Sequence, residues 1–379
     1  MRFLFTCGGT GGHINPAVAA AQRLKKLMPD CEVLFVGTAD NMEMDLVPRE
    51  GFSIRPIPAG NLHRSMKPKE LLHNLRSGAL LAEGIHAAGQ ILKEFKPDAV
   101  LGTGGYVCCP VIIAASRRGI PTLLHEANAL PGLTTRMLEK HTDQLMVAFE
   151  ESRAYYREPD KVICTGMPVR SGFRGRDRKE ARRSLGIPED LPLILSFGGS
   201  LGAARMNEAL TEAAAKQEQH PTFRLLHATG GGEEGCLAMK RRLAELGAPE
   251  PKFTELVPYL YDMPAAMAAA NLVVCRAGAS TLGELAAAGR AAILIPYPHA
   301  TGNHQEKNAR VPEGRGAAIL LRDADCTAEN LTAAIHELLR EPDILPRMGE
   351  KMHSLDRADS LDAIVDQMLR LTETRPRQP

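Results

Sequence analysis

Phe3-Leu4-Phe5-Thr6-Cys7-Gly8-Gly9-Thr10-Gly11-Gly12-His13 joins a short apolar run to a glycine-rich turn. The same pattern returns past the midpoint of the chain as Leu193-Ile194-Leu195-Ser196-Phe197-Gly198-Gly199-Ser200-Leu201-Gly202-Ala203. Each copy predicts a buried strand, a tight turn and the start of a helix. Glycines let the backbone approach a ligand closely, and unpaired N–H groups at a helix start attract anions. Two such turns predict an α/β protein with twin doubly wound, Rossmann-like domains that face one cleft.

The composition is that of a two-domain globular protein. The chain has 379 residues, of which 44% are hydrophobic and 24% are charged. This length exceeds the usual size of one domain, which is about 100–200 residues. The formal net charge is +1, so no overall electrostatic field favours nucleic acid, and we expect no nucleic-acid partner.

The cysteines and the start of the chain predict a cytoplasmic site of action. The eight cysteines include no C-x-x-C pair, and several lie in predicted strands, as expected for reduced core residues. The first predicted strand starts at Arg2 and leaves no room for a signal peptide. The sequence also lacks an apolar run of about 18 residues that would span a bilayer.

Apolar runs of four to six residues alternate with helical patterns, which favours βαβ units and parallel sheets. Residues 1–166 are predicted to form an N-terminal domain and residues 167–345 a C-terminal domain, with a hinge at Gly166–Arg170. A helix over about 356–372 is predicted to pack back on the first domain. The predicted strands are 3–6, 33–36, 99–101, 122–124, 145–147 and 162–164 in the first series, and 193–197, 223–227, 252–255, 272–275, 292–295 and 317–320 in the second.

In the first turn, Asn15 is predicted to cap a helix that starts at Pro16, because proline is favoured at the first helical position. His13 would then lie just outside the helix, where an imidazole can take a proton from an attacking hydroxyl. The alternative is a histidine that only caps backbone groups. In the second turn, Ser200 and the neighbouring N–H groups are candidates to hold a diphosphate, the alternative being a turn whose glycines serve packing.

Three further loops follow predicted strands and carry polar groups. In Gly278–Glu284, the Glu284 carboxylate is a candidate to accept the hydroxyls of a ribose, or else it completes a capping box that begins at Thr281. The loop from Pro296 to Gln305 is rich in donors for sugar hydroxyls. Gly102–Tyr106 and His125–Asn128 open at one edge of the first sheet, and Glu126 is either functional or a solvated loop carboxylate.

Two patterns favour ordinary structural roles. Asp323-Ala324-Asp325 matches the D-x-D pattern that holds a metal in some nucleotide-sugar enzymes, but it lacks neighbouring ligands and precedes a helix that Thr327 would cap. We therefore predict no metal and no other cofactor. The segment 61–96 has apolar residues at helical spacing beside Arg64, Lys67, Lys69 and Arg76, so it either packs on the sheet or lies on an anionic membrane.

Five motifs occur together in one order, and through them the chain resembles the MurG family. These are the UDP-N-acetylglucosamine (UDP-GlcNAc) transferases that convert lipid I to lipid II in peptidoglycan synthesis. The motifs are Gly8–His13 with Ile14–Ala17, Gly104–Val107, His125–Asn128 with Pro131–Thr134, Gly198–Ala203, and Cys275–Ala279.

The resemblance implies the GT-B fold, an acceptor site in the N-terminal domain and a donor site mainly in the C-terminal one. It implies transfer with inversion at the anomeric carbon, without an essential metal, by a peripheral protein at the cytoplasmic face of the inner membrane. By position it implies His13 as the base for the acceptor hydroxyl. The implied substrate contacts are Thr10, Gly11 and Gly12 on the diphosphate and sugar side, Asn128 on the transferred sugar, Arg170 and Ser200 on the phosphate end, Leu260 on the uracil, Ala279, Ser280, Thr281, Leu282, Gly283 and Glu284 around the ribose, and Gln305 on the sugar hydroxyls.

Two other functions fit the same scaffold, because a fold alone does not decide function. One is a UDP-GlcNAc 2-epimerase or another glycolipid glycosyltransferase. The other is a non-catalytic subunit that binds a nucleotide sugar. Product analysis separates the first alternative, and loss of turnover on removal of His13 separates the second.

Overall fold

The computed structural model describes residues 1–60 and 68–374, with the side chains of 68–76 outside the description. The chain divides into two compact units. Unit 1 comprises Met1–Val169 and Arg357–Pro379, and unit 2 comprises Arg170–Asp356. The sequence-based division had placed the first boundary at residue 166 and the second at residue 345.

Unit 1 is built on a seven-stranded sheet in the order β3-β2-β1-β4-β5-β6-β7, with every neighbouring pair parallel. Six of these strands were predicted, and β3 was missed. The strands are β1 (Arg2–Thr6), β2 (Glu32–Gly37), β3 (Ser53–Pro56), β4 (Ala99–Gly102), β5 (Thr122–Glu126), β6 (Gln144–Val147) and β7 (Val162–Cys164).

Helices cover both faces of this sheet, and the last helix of the chain returns to it. That helix packs against the first one, where Arg23 forms an ion pair with Asp362 at 2.5 Å. The helices of unit 1 are α1 (Gly11–Leu27), α2 (Glu43–Arg49), α3 (Pro68–Phe95), α4 (Cys108–Ser116), α5 (Leu133–Leu138) and α14 (Ser360–Thr374).

Unit 2 repeats the architecture with a six-stranded parallel sheet in the order β10-β9-β8-β11-β12-β13. Its strands are β8 (Leu193–Phe197), β9 (Arg224–Ala228), β10 (Thr254–Val257), β11 (Leu272–Cys275), β12 (Ala292–Leu294) and β13 (Ala318–Leu320). Its helices are α6 (Arg178–Ser184), α7 (Ala204–Gln219), α8 (Gly232–Glu245), α9 (Met263–Ala269), α10 (Ala279–Ala288), α11 (His304–Gly314), α12 (Ala328–Leu339) and α13 (Ile344–His353). The parallel-sheet fold class is therefore confirmed.

Alternation along β1 explains how the first sheet is covered. Phe3 and Phe5 face the core shared with α1 and α14, whereas Leu4 faces the core shared with α3 and α4. All three side chains are fully buried, and burial of each such side chain contributes about 1.5–3 kcal/mol. A strand that is apolar on both faces is typical of a parallel sheet covered by helices on each side.

Each sheet has one point where the strand order reverses, and each glycine-rich turn lies there. In unit 1 the reversal falls between β1 and β4, and in unit 2 it falls between β8 and β11. In open α/β sheets, ligands bind beyond the carboxyl ends of the strands at such a point. The topology thus marks one candidate site edge in each unit.

Two helices start earlier than predicted. Helix α1 begins at Gly11, because the N–H groups of His13 and Ile14 already donate to the Thr10 carbonyl. The predicted cap at Asn15 is therefore wrong, and His13 lies in the first turn of the helix. Helix α10 begins at Ala279 after an N-cap at Gly278, so the predicted capping box at Thr281 is wrong as well.

Candidate functional site

The first glycine turn holds the ring of His13 against its own backbone. Nδ1 of His13 lies 3.0 Å from the Gly8 carbonyl oxygen and 3.4 Å from the Thr10 hydroxyl. Since a carbonyl oxygen only accepts, Nδ1 carries the proton in the bond to Gly8. This tautomer leaves Nε2 of the neutral ring with the lone pair that can receive a proton.

The loop after β4 packs tightly on this turn. A Cβ at Gly104 would lie 2.5 Å from Cδ2 of His13, and one at Gly105 would lie 2.5 Å from the Gly8 carbonyl oxygen. Both glycines have positive φ angles. The Thr103 hydroxyl donates to the His13 carbonyl at 2.7 Å. The two loops therefore fix the position of the imidazole together.

A buried carboxylate, absent from every motif that pointed to function, lies beneath the first turn. Glu43, the first residue of α2, is fully buried. Its Oε2 accepts from the Gly9 N–H at 3.1 Å, and its Oε1 accepts from the Thr38 N–H at 3.0 Å and hydroxyl at 2.7 Å. A Cβ at Gly8 would lie 2.6 Å from Oε1, so the glycine makes room for this side chain.

Asn128 lies in the loop after β5, where Glu126 organises the backbone. One Glu126 oxygen accepts from the Asn128 N–H and side-chain amide, both at 3.0 Å. The other accepts from the Gly132 N–H at 2.9 Å and the Thr135 hydroxyl at 2.7 Å. Glu126 is buried, so the alternative of a solvated loop carboxylate is wrong.

The second glycine turn packs backbone against backbone. A Cβ at Gly230 would lie 2.3 Å from the Gly202 nitrogen, and the Gly231 N–H donates to the Ser200 carbonyl at 3.1 Å. Gly230, Gly231 and Gly232 all have φ near +67°. Ser200 is exposed on this turn, and helix α7 starts four residues later. The exposed hydroxyl and the nearby helix start form a surface suited to an anion.

A buried polar relay supports this second turn from below. Nδ1 of His227 lies 2.6 Å from the Ser196 hydroxyl, and its Nε2 lies 3.3 Å from the Asn207 carboxamide oxygen. The Asn207 amide in turn donates to the Thr229 carbonyl at 2.9 Å. Burial lowers the pKa of His227 to about 4, so the ring is neutral at pH 7.

Glu284 lies in the second turn of α10 and faces Arg170. Its Oε1 is 3.9 Å from the Arg170 guanidinium, and its side chain is only 20% exposed. Burial raises the pKa of Glu284 to about 7, against the opposing effect of Arg170. Ser280, one turn earlier, has a buried hydroxyl for which the described part of the chain supplies no hydrogen-bond partner. This helix start therefore combines a buried hydroxyl with a largely buried carboxylate.

Gln305 is held by the loop that follows β12. Its Oε1 accepts from the Tyr297 N–H at 2.9 Å, so its amide N–H₂ remains the group suited to donate to a ligand. The start of the same loop is bound by Arg276, which donates to the carbonyls of Ile295 and Pro296 at 3.1 and 3.2 Å.

Asp323 is the partner of that arginine. The two side chains form an ion pair at 2.6 Å and are 15% and 13% exposed. The helix that follows D-x-D is capped by Thr327 as predicted. Among the residues that the structure describes, no group of three or more His, Cys, Asp or Glu side chains is arranged to hold a metal.

The structure thus places the predicted residues along two sheet edges. In unit 1, Thr10, Gly11, Gly12 and His13 follow β1 and Asn128 follows β5. In unit 2, Ser200 follows β8, residues 279–284 form the start of α10, and Arg170 is brought next to Glu284. Leu260 lies in the loop after β10, and Gln305 is the second residue of α11, which follows β12.

Membrane contact was also predicted, from basic side chains that the structure does not describe. Arg64, Lys67, Lys69 and Arg76 all lie outside the described side chains. In the rest of that segment, Ile91 and Leu92 of α3 pack into the core of unit 1. No described helix combines the length and the apolar character needed to cross a membrane.

Comparison with known proteins covers nearly the whole chain. The model of the glycosyltransferase family 28 N-terminal domain matches residues 3–147, and that of the family 28 C-terminal domain matches residues 193–364. A relative from Desulforudis audaxviator is 43% identical over 97% of both chains. It is named UDP-N-acetylglucosamine--N-acetylmuramyl-(pentapeptide) pyrophosphoryl-undecaprenol N-acetylglucosamine transferase.

Solved structures agree with this sequence similarity. The crystal structure of Acinetobacter baumannii MurG matches with a TM-score of 0.77 and 28% identity, over 97% of this chain and 99% of that one. UDP-GlcNAc 2-epimerase from Neisseria meningitidis, solved with UDP-GlcNAc bound, has a TM-score of 0.64 at 17% identity over 98% of this chain and all of that one, which shows a shared fold alone. The two doubly wound units have the GT-B fold, and the chain belongs to the MurG family within glycosyltransferase family 28.

Proposed function

We propose that this protein transfers N-acetylglucosamine from UDP-GlcNAc to the muramyl sugar of lipid I, giving lipid II with inversion at the anomeric carbon. The observation that carries the proposal is the 43% identity, over 97% of both chains, to a transferase named for this reaction. Unit 1 supplies the acceptor side and the base, and unit 2 supplies the donor side. The reaction belongs to peptidoglycan synthesis and hence to cell-wall growth and division.

His13 is the proposed general base. The muramyl hydroxyl of the acceptor loses its proton to Nε2 as its oxygen attacks the anomeric carbon from the face opposite UDP. The bond from that carbon to the diphosphate oxygen breaks, and UDP leaves with the electron pair. The bond from Nδ1 to the Gly8 carbonyl, at 3.0 Å, supports this role because it fixes the tautomer. Such proton transfer contributes about 10²–10⁴ in rate.

The donor contacts are proposed residue by residue. Ser200 and the start of α7 hold the diphosphate and stabilise the charge that develops on it. Glu284 binds the ribose hydroxyls, with Ala279, Ser280, Thr281, Leu282 and Gly283 around the same sugar. Arg170 lies on the phosphate end, Leu260 on the uracil and Gln305 on the sugar hydroxyls, while Asn128 and Thr10–Gly12 meet the transferred sugar and diphosphate from unit 1.

The proposed mechanism uses no metal and no other cofactor. Asp323 supports this view because its carboxylate is already paired with Arg276 at 2.6 Å. A backbone and hydroxyl cradle at a helix start offers the electrostatic stabilisation that a cation supplies elsewhere. A hinge motion at Gly166–Arg170 is proposed to exclude water from the donor.

The proposed place of action is the cytoplasmic face of the inner membrane, with peripheral attachment. Support comes from the acceptor, which is lipid-linked in the name of the Desulforudis relative, and from the basic residues of the segment 61–76. Replacing Lys67, Lys69 and Arg76 by Gln should weaken binding to anionic vesicles at low salt. Equal binding before and after the replacement would rule out this patch.

The deciding experiment incubates the purified protein with UDP-GlcNAc and a lipid I analogue. We expect a β-linked disaccharide product and release of UDP in equal amounts. Formation of N-acetylmannosamine from the donor alone would identify an epimerase instead. Binding of UDP-GlcNAc with neither product would indicate a binding subunit.

A further inference from the structure

Glu43 lies outside every motif that pointed to function, yet it contacts the turn that carries the proposed base. We propose that Glu43, with Thr38 and Asn41, is a positioning residue that fixes the first glycine turn in its reactive geometry. This inference rests on the proposed transferase function. Glu43 is the first residue of α2, and Thr38 and Asn41 lie in the connection from β2 to that helix.

The contact to the turn is direct and buried. Oε2 of Glu43 accepts from the Gly9 N–H at 3.1 Å, and Gly9 has a φ of +85°. The next residue, Thr10, lies 3.4 Å from the His13 ring through its hydroxyl. A shift of Gly9 would therefore move both Thr10 and the imidazole of His13.

Two glycines leave the space that this carboxylate occupies. A Cβ at Gly8 would lie 2.6 Å from Oε1 of Glu43, and one at Gly37 would lie 2.6 Å from its Cγ. Gly8 belongs to the turn and Gly37 to the end of β2. The carboxylate thus fills the space that the two strand ends leave free.

The same network reaches the second loop of the unit 1 site. The Thr38 hydroxyl donates to Glu43 and accepts from the Asn41 amide, and that amide also donates to the Tyr106 hydroxyl at 2.8 Å. Tyr106 follows Gly104 and Gly105, whose backbone packs on His13 and Gly8. The Glu43 network therefore joins the two loops that enclose the imidazole.

The variant Glu43→Gln removes the acceptor for the Gly9 N–H without changing the size of the side chain. The amide keeps the shape of the side chain and one carbonyl oxygen, which suits the two donors at Thr38. Its N–H₂ group then faces the Gly9 N–H, which no longer has an acceptor. Because small displacements of a catalytic group are costly, we expect kcat to fall about 10- to 100-fold.

Two readouts distinguish this role from a general loss of folding. The proposed contacts to the uracil, the ribose and the Ser200 end of the diphosphate lie in unit 2, and only Thr10–Gly12 approach the diphosphate from unit 1. The Kd for UDP should therefore rise far less than kcat falls in Glu43→Gln, and the thermal unfolding transition should remain cooperative. The matched control is Glu50→Gln at the exposed end of the same helix, which should keep the wild-type kcat. An unchanged kcat in folded Glu43→Gln, or a loss of UDP affinity as large as the loss of kcat, would overturn the proposal.

A second pair of variants tests the network if Glu43→Gln fails to fold. Thr38→Val removes the hydroxyl that joins Glu43 to Asn41, and Thr38→Ser retains it. We expect a lower kcat in the valine variant and recovery in the serine variant, whereas equal kcat values in both would contradict the proposal. The two inferences fail in different ways. A wild-type protein without transferase activity would refute the proposed function, whereas an active wild type whose variants keep its kcat would refute only the role of Glu43.

Discussion

The two glycine-rich turns share a sequence pattern but are held by different chemistry. The first turn is held in part by a buried side chain, because the Glu43 carboxylate accepts from the Gly9 N–H, while the backbone of Gly104 and Gly105 packs on His13 and Gly8. The second is packed against the backbone of another glycine turn, Gly230–Gly232. A turn whose backbone N–H is bound by a buried carboxylate is suited to position a side chain such as His13. A turn packed only on backbone is suited to present its N–H groups and Ser200 to an anion.

The largest expected effect tests whether the first turn is catalytic. His13→Ala should lower kcat by about 10²–10⁴ and leave the Kd for UDP unchanged, because the imidazole is proposed to act on the acceptor hydroxyl and not on the nucleotide. Steady-state kinetics and calorimetric titration with UDP measure the two quantities. The control is His220→Ala, at the exposed C-cap of α7, with wild-type values expected. Full turnover in His13→Ala would show that the first turn does not supply the general base.

Acid should loosen the support of the second turn. Burial lowers the pKa of His227 from its usual 6.5 to about 4. The unfolded chain therefore binds this proton first, so the contribution to stability is complete above pH 6.5 and is lost as the pH falls towards 4. The difference corresponds to roughly 3 kcal/mol.

Urea unfolding at several pH values checks this expectation. The free energy of unfolding of His227→Gln should fall less steeply between pH 6.5 and 4 than that of the wild type. His220→Gln carries the same change at an exposed position and should keep the wild-type slope. If His227→Gln also keeps the wild-type slope, protonation of His227 is not what destabilises unit 2 in acid.

Backbone packing at the second turn can be tested with two matched glycines. Gly230 and Gly232 have φ angles of +67° and +68°, so alanine at either position has a similar conformational cost of about 1–2 kcal/mol. Only Gly230→Ala adds a clash, with its Cβ 2.3 Å from the Gly202 nitrogen, whereas a Cβ at Gly232 has no atom within 4 Å. We expect Gly230→Ala to lower the free energy of unfolding, and to weaken UDP binding, by about 1–3 kcal/mol more than Gly232→Ala does. Equal losses in both variants would show that the clash has no effect.

The fold was predictable because its signals are local. Buried parallel strands such as β1 are apolar on both faces, and glycines mark the turns that follow them. The missed strand β3 is an edge strand whose Ser53, Arg55 and Pro56 are exposed, so it lacks an apolar run. The start of α1 was misplaced because Asn15-Pro16 resembles a helix start, although the helical hydrogen bonds already begin at Thr10.

The supports of the site were not predictable, because they depend on contacts between distant segments. Glu43 is 34 residues from Gly9 and looks like a surface carboxylate of a short helix. His227 reaches Ser196 across 31 residues. Such pairs depend on strand order, which one sequence does not specify. The same holds for Asp323, whose structural role was predicted but whose partner, Arg276, was not.

The smallest expected effect concerns that ion pair, through which a largely buried carboxylate supports a loop of unit 2 as Glu43 supports a turn of unit 1. Arg276 binds the start of the loop whose Tyr297 N–H holds Gln305. Asp323→Asn keeps an acceptor oxygen but removes the charge from the pair, so Arg276 should hold this loop less firmly. We expect a loss of about 1 kcal/mol, or about fivefold, in affinity for UDP-GlcNAc.

The affinity for UDP should change less than that for UDP-GlcNAc, because Gln305 is proposed to contact only the sugar. Asp325→Asn provides the matched control within the same motif, since Asp325 is exposed and contributes backbone groups to the turn. A metal site would need both carboxylates, so it predicts similar losses in the two variants and a response to added Mn²⁺ or Mg²⁺. An ion pair predicts a loss in Asp323→Asn alone, because of the two carboxylates only Asp323 binds the arginine that holds the loop before Gln305.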